Sequence, residues 1–123
     1  MISISRNNII TVNRGDSINF LFCIIANDDF DIYELNNKDT LYVGVLEPNC
    51  SFEDAIIRKV FTAEDLTEDS QVLITLSPED TEYLLPGTYY LQIKLKRYTP
   101  TDDEEGEYST ETVLGKTKFI ILD

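Results

Sequence analysis

Apolar and polar residues alternate through most of this chain. From Thr88 to Tyr98 the alternation is regular: Tyr89, Leu91, Ile93 and Leu95 fall on one side, Tyr90, Gln92, Lys94 and Lys96 on the other. Successive strand side chains point to opposite faces, so a period of two predicts a β-strand with one buried face. Gln71 to Leu76 repeats the pattern, with Val72, Ile74 and Leu76 inward. Ser17 to Ala26 places Ile18, Phe20, Phe22 and Ile24 on one side. Its other side (Leu21, Cys23, Ile25) is also apolar, which predicts a central strand covered on both faces. Further strands are expected at Asn8 to Val12, Leu41 to Glu47, Ile56 to Thr62 and Thr112 to Leu122, the last with a bulge at Gly115.

Turn chemistry separates these runs. Asn13-Arg14-Gly15-Asp16 is a turn in which glycine supplies positive φ. Asn27 to Asp31 is an acidic loop, Pro48 to Asp54 another, and Asp102-Asp103-Glu104-Glu105-Gly106 a solvated hairpin tip. Ser77-Pro78-Glu79-Asp80 reads as a helix start: a capping serine, proline at the first helical position, and acids at the positive end of the dipole. Pro86-Gly87 limits that helix to about one turn. The sum is an all-β fold, an immunoglobulin-like or Greek-key β-sandwich of about seven strands with one short helical turn. It forms a single domain over residues 1–123, with a small β-barrel as the alternative.

The chain carries 23 acidic and 10 basic residues, a net charge of −13. That balance argues against nucleic acid and against anionic membrane surfaces, because both need clustered Lys and Arg. It favours solubility through self-repulsion, or a basic partner protein. No apolar run has membrane-spanning length. Met1 to Arg6 lacks the plan of a signal peptide, so synthesis in a cytoplasm is expected. Cys23 lies in an apolar strand and Cys50 in a loop, and two free thiols are expected.

Candidate chemistry is thin. Histidine is absent, which removes the commonest general base and metal ligand. Ser and Thr therefore have no triad partner, and there is no Trp to line a sugar cleft between paired acids. No enzyme, no cofactor and no metal is expected. The acidic clusters Asp28/Asp29/Asp31, Asp65/Glu68/Asp69 and Asp102/Asp103/Glu104/Glu105 lack EF-hand spacing and read as solvated loop tips that discourage edge pairing. Arg14-Gly15-Asp16 has the letters of an integrin-binding tripeptide and reads as a turn. Tyr83, Tyr89, Tyr90, Tyr98 and Tyr108 gather around the helical corner and the last hairpin. Tyr89 belongs in the core. Outward Tyr90 and Tyr98 are interface candidates, since tyrosine is enriched where proteins meet.

Three segments taken together resemble a known family. Asn13-Arg14-Gly15-Asp16-Ser17-Ile18-Asn19-Phe20 is similar to its opening. Leu76-Ser77-Pro78-Glu79-Asp80-Thr81 with Leu85-Pro86-Gly87-Thr88-Tyr89-Tyr90-Leu91-Gln92-Ile93 resembles its corner. Thr112-Val113-Leu114-Gly115-Lys116-Thr117-Lys118-Phe119 resembles its closing strand. The family is the N-terminal β-sandwich module of phage baseplate upper and tail-fibre proteins and their free-standing relatives. The resemblance implies a non-enzymatic virion structural protein, a baseplate or tail adaptor or accessory protein. It would be made in the host cytoplasm and would dock to other virion proteins or to further copies of itself. A capsid-surface decoration protein and a carbohydrate- or receptor-binding adhesion module are the alternatives. Docking by strand addition would use the terminal segments, with Ile2, Ile4, Ile120 and Leu122 as contact residues beside Tyr90 and Tyr98.

Overall fold

The computed structural model describes residues 2–4, 9–26, 31–102 and 105–123. Ten strands form among them: β1 (Ile2–Ile4), β2 (Ile10–Asn13), β3 (Ile18–Phe22), β4 (Ile24–Ala26), β5 (Asp31–Tyr33), β6 (Thr40–Leu46), β7 (Ile57–Phe61), β8 (Val72–Leu76), β9 (Gly87–Thr99) and β10 (Glu107–Leu122). Seven of these are longer than three residues, which matches the expected strand number. One helical turn, α1 (Pro78–Glu82), joins β8 to β9, and short 3-10 turns occupy Phe52–Asp54 and Ala63–Asp65.

Six strands make one sheet in the order β1-β2-β10-β9-β6-β7, and β3 pairs with β8 in a second layer. Neighbours in the large sheet run antiparallel except β2 and β10, which run parallel. The β4–β5 ribbon stands apart from both. The large sheet ends in β1 and β7 and does not close, so the fold is an all-β sandwich and not a barrel. β10-β9-β6 in one layer thus faces β3 and β8 in the other.

Alternation builds the core as the sequence predicts. Leu41, Val43 and Val45 of β6, Tyr89, Leu91, Ile93 and Leu95 of β9, and Phe119 and Ile121 of β10 point inward. They meet Ile18 of β3 and Val72, Ile74 and Leu76 of β8 in a single cluster. The β9–β10 register shifts between Thr112 and Leu114 and again before Thr117, which puts the expected bulge around Gly115.

Two expectations need correction. Ser17 to Ala26 is not one central strand: it breaks at Cys23, and its outer face is open. Leu21, 53% exposed, stands directly opposite Leu73, 42% exposed, on the outside of a layer only two strands wide. β10 starts at Glu107 rather than Thr112. Glu107 to Glu111 are all exposed, so this stretch is held by its ladder to β9 and leaves no burial pattern to read.

The corner between the layers is fixed by hydrogen bonds. The Tyr89 hydroxyl donates to the Leu85 carbonyl at 2.7 Å, the tyrosine-corner contact of Greek-key sandwiches. The Asp80 carboxylate accepts from the Ser77 N–H at 2.8 Å and from its hydroxyl at 3.1 Å, and so caps α1. Lys59 of β7 reaches the same carboxylate at 2.9 Å. Fully buried Thr81 accepts from the Gly15 N–H at 3.1 Å and donates to the Asp16 carbonyl at 3.3 Å. That bond ties α1 to the β2–β3 turn, where Gly15 sits at φ 84°. Burial pushes the Asp80 carboxyl up, but Lys59 and the Ser77 donors outweigh it, and the net shift is downward.

Tyr89→Phe should lower unfolding free energy by about 1 kcal/mol in urea titration, the usual worth of one hydrogen bond. Because Asp80 has a depressed folded pKa, its contribution is present above its unfolded pKa and lost as pH falls. Asp80→Asn should therefore destabilise at neutral pH and flatten the acid limb of the stability profile, read by thermal melting from pH 7 to about pH 2.

Candidate functional site

The outward face of the large sheet follows from the same register that builds the core. Tyr42 lies opposite Lys94, Thr40 opposite Lys96, Tyr98 opposite Tyr108, and Tyr90 opposite Lys118. β7 adds Val60 beside Tyr42 and Arg58 beside Gly44. Every inward apolar position on β9 thus places a Lys or Tyr next to it on the outside.

Three cations on this face sit against aromatic rings. Lys38 Nζ is 4.4 Å from the Tyr98 ring centroid, Lys96 is 4.8 Å from Tyr108, and Lys94 is 5.0 Å from Phe52. Tyr98 and Tyr108 pack tilted with centroids 5.2 Å apart. A cation over a ring is held by the ring quadrupole, so these flexible chains have preferred positions. Phe52 arrives from the β6–β7 connection, which folds back over β6. A Cβ at Gly44 would come within 2.8 Å of the Phe52 ring, and the chain uses glycine there to let the ring lie on the strand. Lys116 donates to the Cys50 carbonyl of the same connection at 3.1 Å.

The charge arrangement separates this face from the rest. Arg14 pairs with Asp123 at 2.7 Å, Lys59 with Asp80 at 2.9 Å, and Arg97 with Glu111 at 3.5 Å. Lys38, Arg58, Lys94, Lys96, Lys116 and Lys118 make no ion pair among the described residues. Glu53 is the acid set among them. Hydrogen bonds from its own N–H and from Ser51, aided by the charges of Lys94 and Arg58, hold its carboxyl below the usual range. A hollow of about 280 Å³ opens between Tyr42, Phe52, Arg58 and Val60. A second, of about 320 Å³, opens at Asn36, Asn37, Lys38, Tyr98 and Pro100.

One buried carboxylate supports the upper end of the face. Asp39 is 1% exposed at the entry to β6. It accepts from the Tyr33 hydroxyl at 2.6 Å, the Asn36 N–H at 2.9 Å and the Tyr98 N–H at 2.8 Å. It therefore extends the β6–β9 ladder past its last residue pair and fixes Tyr98. Burial, then the bond and the negative charge of Asp39, push the Tyr33 hydroxyl up to about 12, while the Arg97 guanidinium, 5.6 Å from the ring, opposes them.

Tyr90 and Tyr98 both lie half-buried on this face, but the five tyrosines named from the sequence do not form one group. Tyr89 is in the core, and Tyr83 is 83% exposed beside α1. Ile2 and Ile4 are in the edge strand β1, opposite Val12 and Ile10. Phe119 to Leu122 is bonded to β2 on one side, and Phe119 to Ile121 to β9 on the other, so Ile120 sits in the sheet interior with no free backbone edge, while Leu122 is paired to β2 alone and is exposed. The Arg14-Gly15-Asp16 turn is occupied by Asp123 and Thr81. Asp28, Asp29, Asp103 and Glu104 lie outside the described residues. Asp65 accepts from the Thr62 N–H at 2.8 Å in a cap, and no three acids or cysteines converge as metal ligands among the described residues. Cys23 and Cys50 are free and half-buried. Comparison with family models, curated proteins and solved structures gives no match.

The sequence reading missed Asp39, Lys38 and Phe52. Asp39 stands in Asn36-Asn37-Lys38-Asp39-Thr40, which has the composition of an ordinary loop and gives no sign of a buried anchor.

Asp39→Ala strands buried donors and should destabilise by about 3 kcal/mol in denaturant titration. For Tyr33, the folded pKa is raised, so its stabilisation is complete below the unfolded value of 10.0 and is lost as pH rises through about 12. Wild-type stability should fall across that window, and Tyr33→Phe should remove that part of the fall.

Proposed function

We propose that this chain is a non-enzymatic virion structural protein, a baseplate or tail adaptor or accessory protein, that works by docking to other protein subunits. The observation that supports docking most is the exposed face of cations and tyrosines. It lies on the large sheet and its connections, and its six cations make no ion pair among the described residues. Interface cores are enriched in Tyr and Arg and depleted in Lys, so the tyrosines and Arg58 carry the support for docking and the lysines favour an acidic partner. The corner that carries the resemblance, Leu76 to Ile93, is also the segment closed by Tyr89, Thr81 and Asp80. Localisation in a virion after synthesis in a host cytoplasm belongs to the same proposal. Strand β1 supplies an open sheet edge as a further contact.

Particles from the producing phage, banded on a density gradient, test the assignment. Peptides of this chain should co-migrate with intact particles and be depleted from the soluble fraction. Their recovery only from the soluble fraction would overturn it. Deleting residues 1–7 should leave the chain folded and weaken particle incorporation, as read by circular dichroism and by the same gradient.

The hollow beside Tyr98, with two Asn amides and a Lys at its rim, supports a second reading, a carbohydrate- or receptor-binding module. Glycan-array binding that is lost in Tyr98→Ala would favour it over docking to a subunit.

A further inference from the structure

Acids and unpaired cations are unevenly distributed over this chain, although Glu47, Glu53, Asp54, Glu107 and Glu111 lie on or beside the large sheet with the cations. Between Lys59 and Lys94 there is no Lys or Arg, while Glu64, Asp65, Glu68, Asp69, Glu79, Asp80 and Glu82 all fall there. The span that carries these acids, Glu64 to Glu82, forms the turns before β8, β8 itself and α1. Asp80 is neutralised by Lys59. Glu64, Asp65, Glu68, Asp69, Glu79 and Glu82 are exposed. Large apolar groups stand among them: Tyr83 at 83%, Leu85 at 74%, and the Leu21–Leu73 pair on the outer surface of the small sheet. The opposite layer presents Lys38, Arg58, Lys94, Lys96, Lys116 and Lys118 with Tyr42, Tyr90, Tyr98 and Tyr108.

We infer that copies of this chain associate head to tail, with the acidic, apolar α1–β8 surface of one copy seated on the cationic, aromatic β9-β6-β7 face of the next. The occupant of that face is a second copy because the same molecule carries the matching surface. It has opposite sign, its own exposed apolar residues, and a position on the other layer that its own face cannot reach. Two cationic faces would repel each other, and so would two acidic surfaces, which disfavours both twofold arrangements. A contact between two different patches is heterologous: it closes into a ring or continues as a filament. The inference rests on the docking role proposed above for its claim that the face takes a protein. It does not depend on the particle assignment.

Light scattering of the full chain across a concentration series, at low salt and at about 1 M salt, is the first test, since screening at that strength acts within about 3 Å. Mass should rise above 14.1 kDa with concentration at low salt and return to that value at high salt. Lys94→Glu with Lys96→Glu replaces two of the six cations of the face by acids, and Glu79→Lys with Glu82→Lys replaces the two exposed acids of α1 by cations. Each double variant alone should be monomeric, with self-association weakened about tenfold or more. An equimolar mixture should associate again, because each variant now carries what the other lacks. Near-UV circular dichroism checks that both variants are folded, and the salt response of the unaltered chain stands without them.

A wild-type chain that stays monomeric at all concentrations overturns the inference. So does loss of association in the face variant alone with none in the acidic-surface variant, which would mean a face-to-face contact. Failure of the mixture to associate does the same. A monomer that instead binds single-stranded oligonucleotide through the intact face would reassign that face to another ligand. None of these outcomes bears on co-migration with particles, so the two proposals fail separately.

Discussion

Register in β9 is the constraint on which the rest of this structure depends. Side chains on a strand alternate strictly, so sliding β9 by one residue would exchange Tyr89, Leu91, Ile93 and Leu95 for Tyr90, Gln92, Lys94 and Lys96 in the core. The Tyr89 hydroxyl, held by the Leu85 carbonyl four residues upstream, fixes the strand where it begins. Asp39 fixes it again near its far end through the Tyr98 N–H. Between these two bonds the inward residues close the sandwich and the outward residues become the cationic face. Core and surface are therefore one decision made once, and a change that loosens either bond would disturb both.

Pinning from both ends also explains how a molecule with a charge of −13 keeps a positive surface. Net charge averages over all sides, whereas a sheet sorts residues by parity. β9 places Lys94 and Lys96 outward, β10 adds Lys118, and β7 adds Arg58. The acids accumulate where the chain turns between layers, with Glu79 and Asp80 in the first turn of α1 and Glu64 and Asp65 in the 3-10 turn before β8, where carboxylates stabilise helical N-termini. The local chemistry of strands and caps concentrates these acids at the turns and leaves these cations outward on the strands.

Much of this was readable in the sequence. β8, β9 and the Ser77–Pro78 helix start show clear patterns because burial and capping impose them residue by residue. The bulge at Gly115 left a glycine, and Tyr89 sat in an inward position. What stayed hidden was determined by partners far along the chain. Asp39 is a core anchor only because Tyr33 and Tyr98 converge on it. The first half of β10 is a strand only because β9 extends to meet it, and its exposed residues follow no period. The opposite error, on the outer side of Ser17 to Ala26, has the same origin. Leu21 looks like a core residue, but whether a layer lies above it is a matter of topology, and none of the described strands does. Cations near rings escaped notice because Lys38, Phe52 and Tyr98 are distant in sequence.

The parallel pairing of β2 with β10 has a mechanical consequence. These strands lie side by side and point the same way, with Ile10 opposite Phe119 and Asn13 opposite Leu122. Tension on the start of the chain pulls β2 backward along its own axis, and tension on the end pulls β10 forward. The bonds between them are then loaded lengthwise and together, not opened one at a time. β1, folded antiparallel against β2, would peel away first and leave the shear-loaded ladder behind it. A module built in this way resists being stretched by its ends far better than its modest number of bonds at that seam suggests.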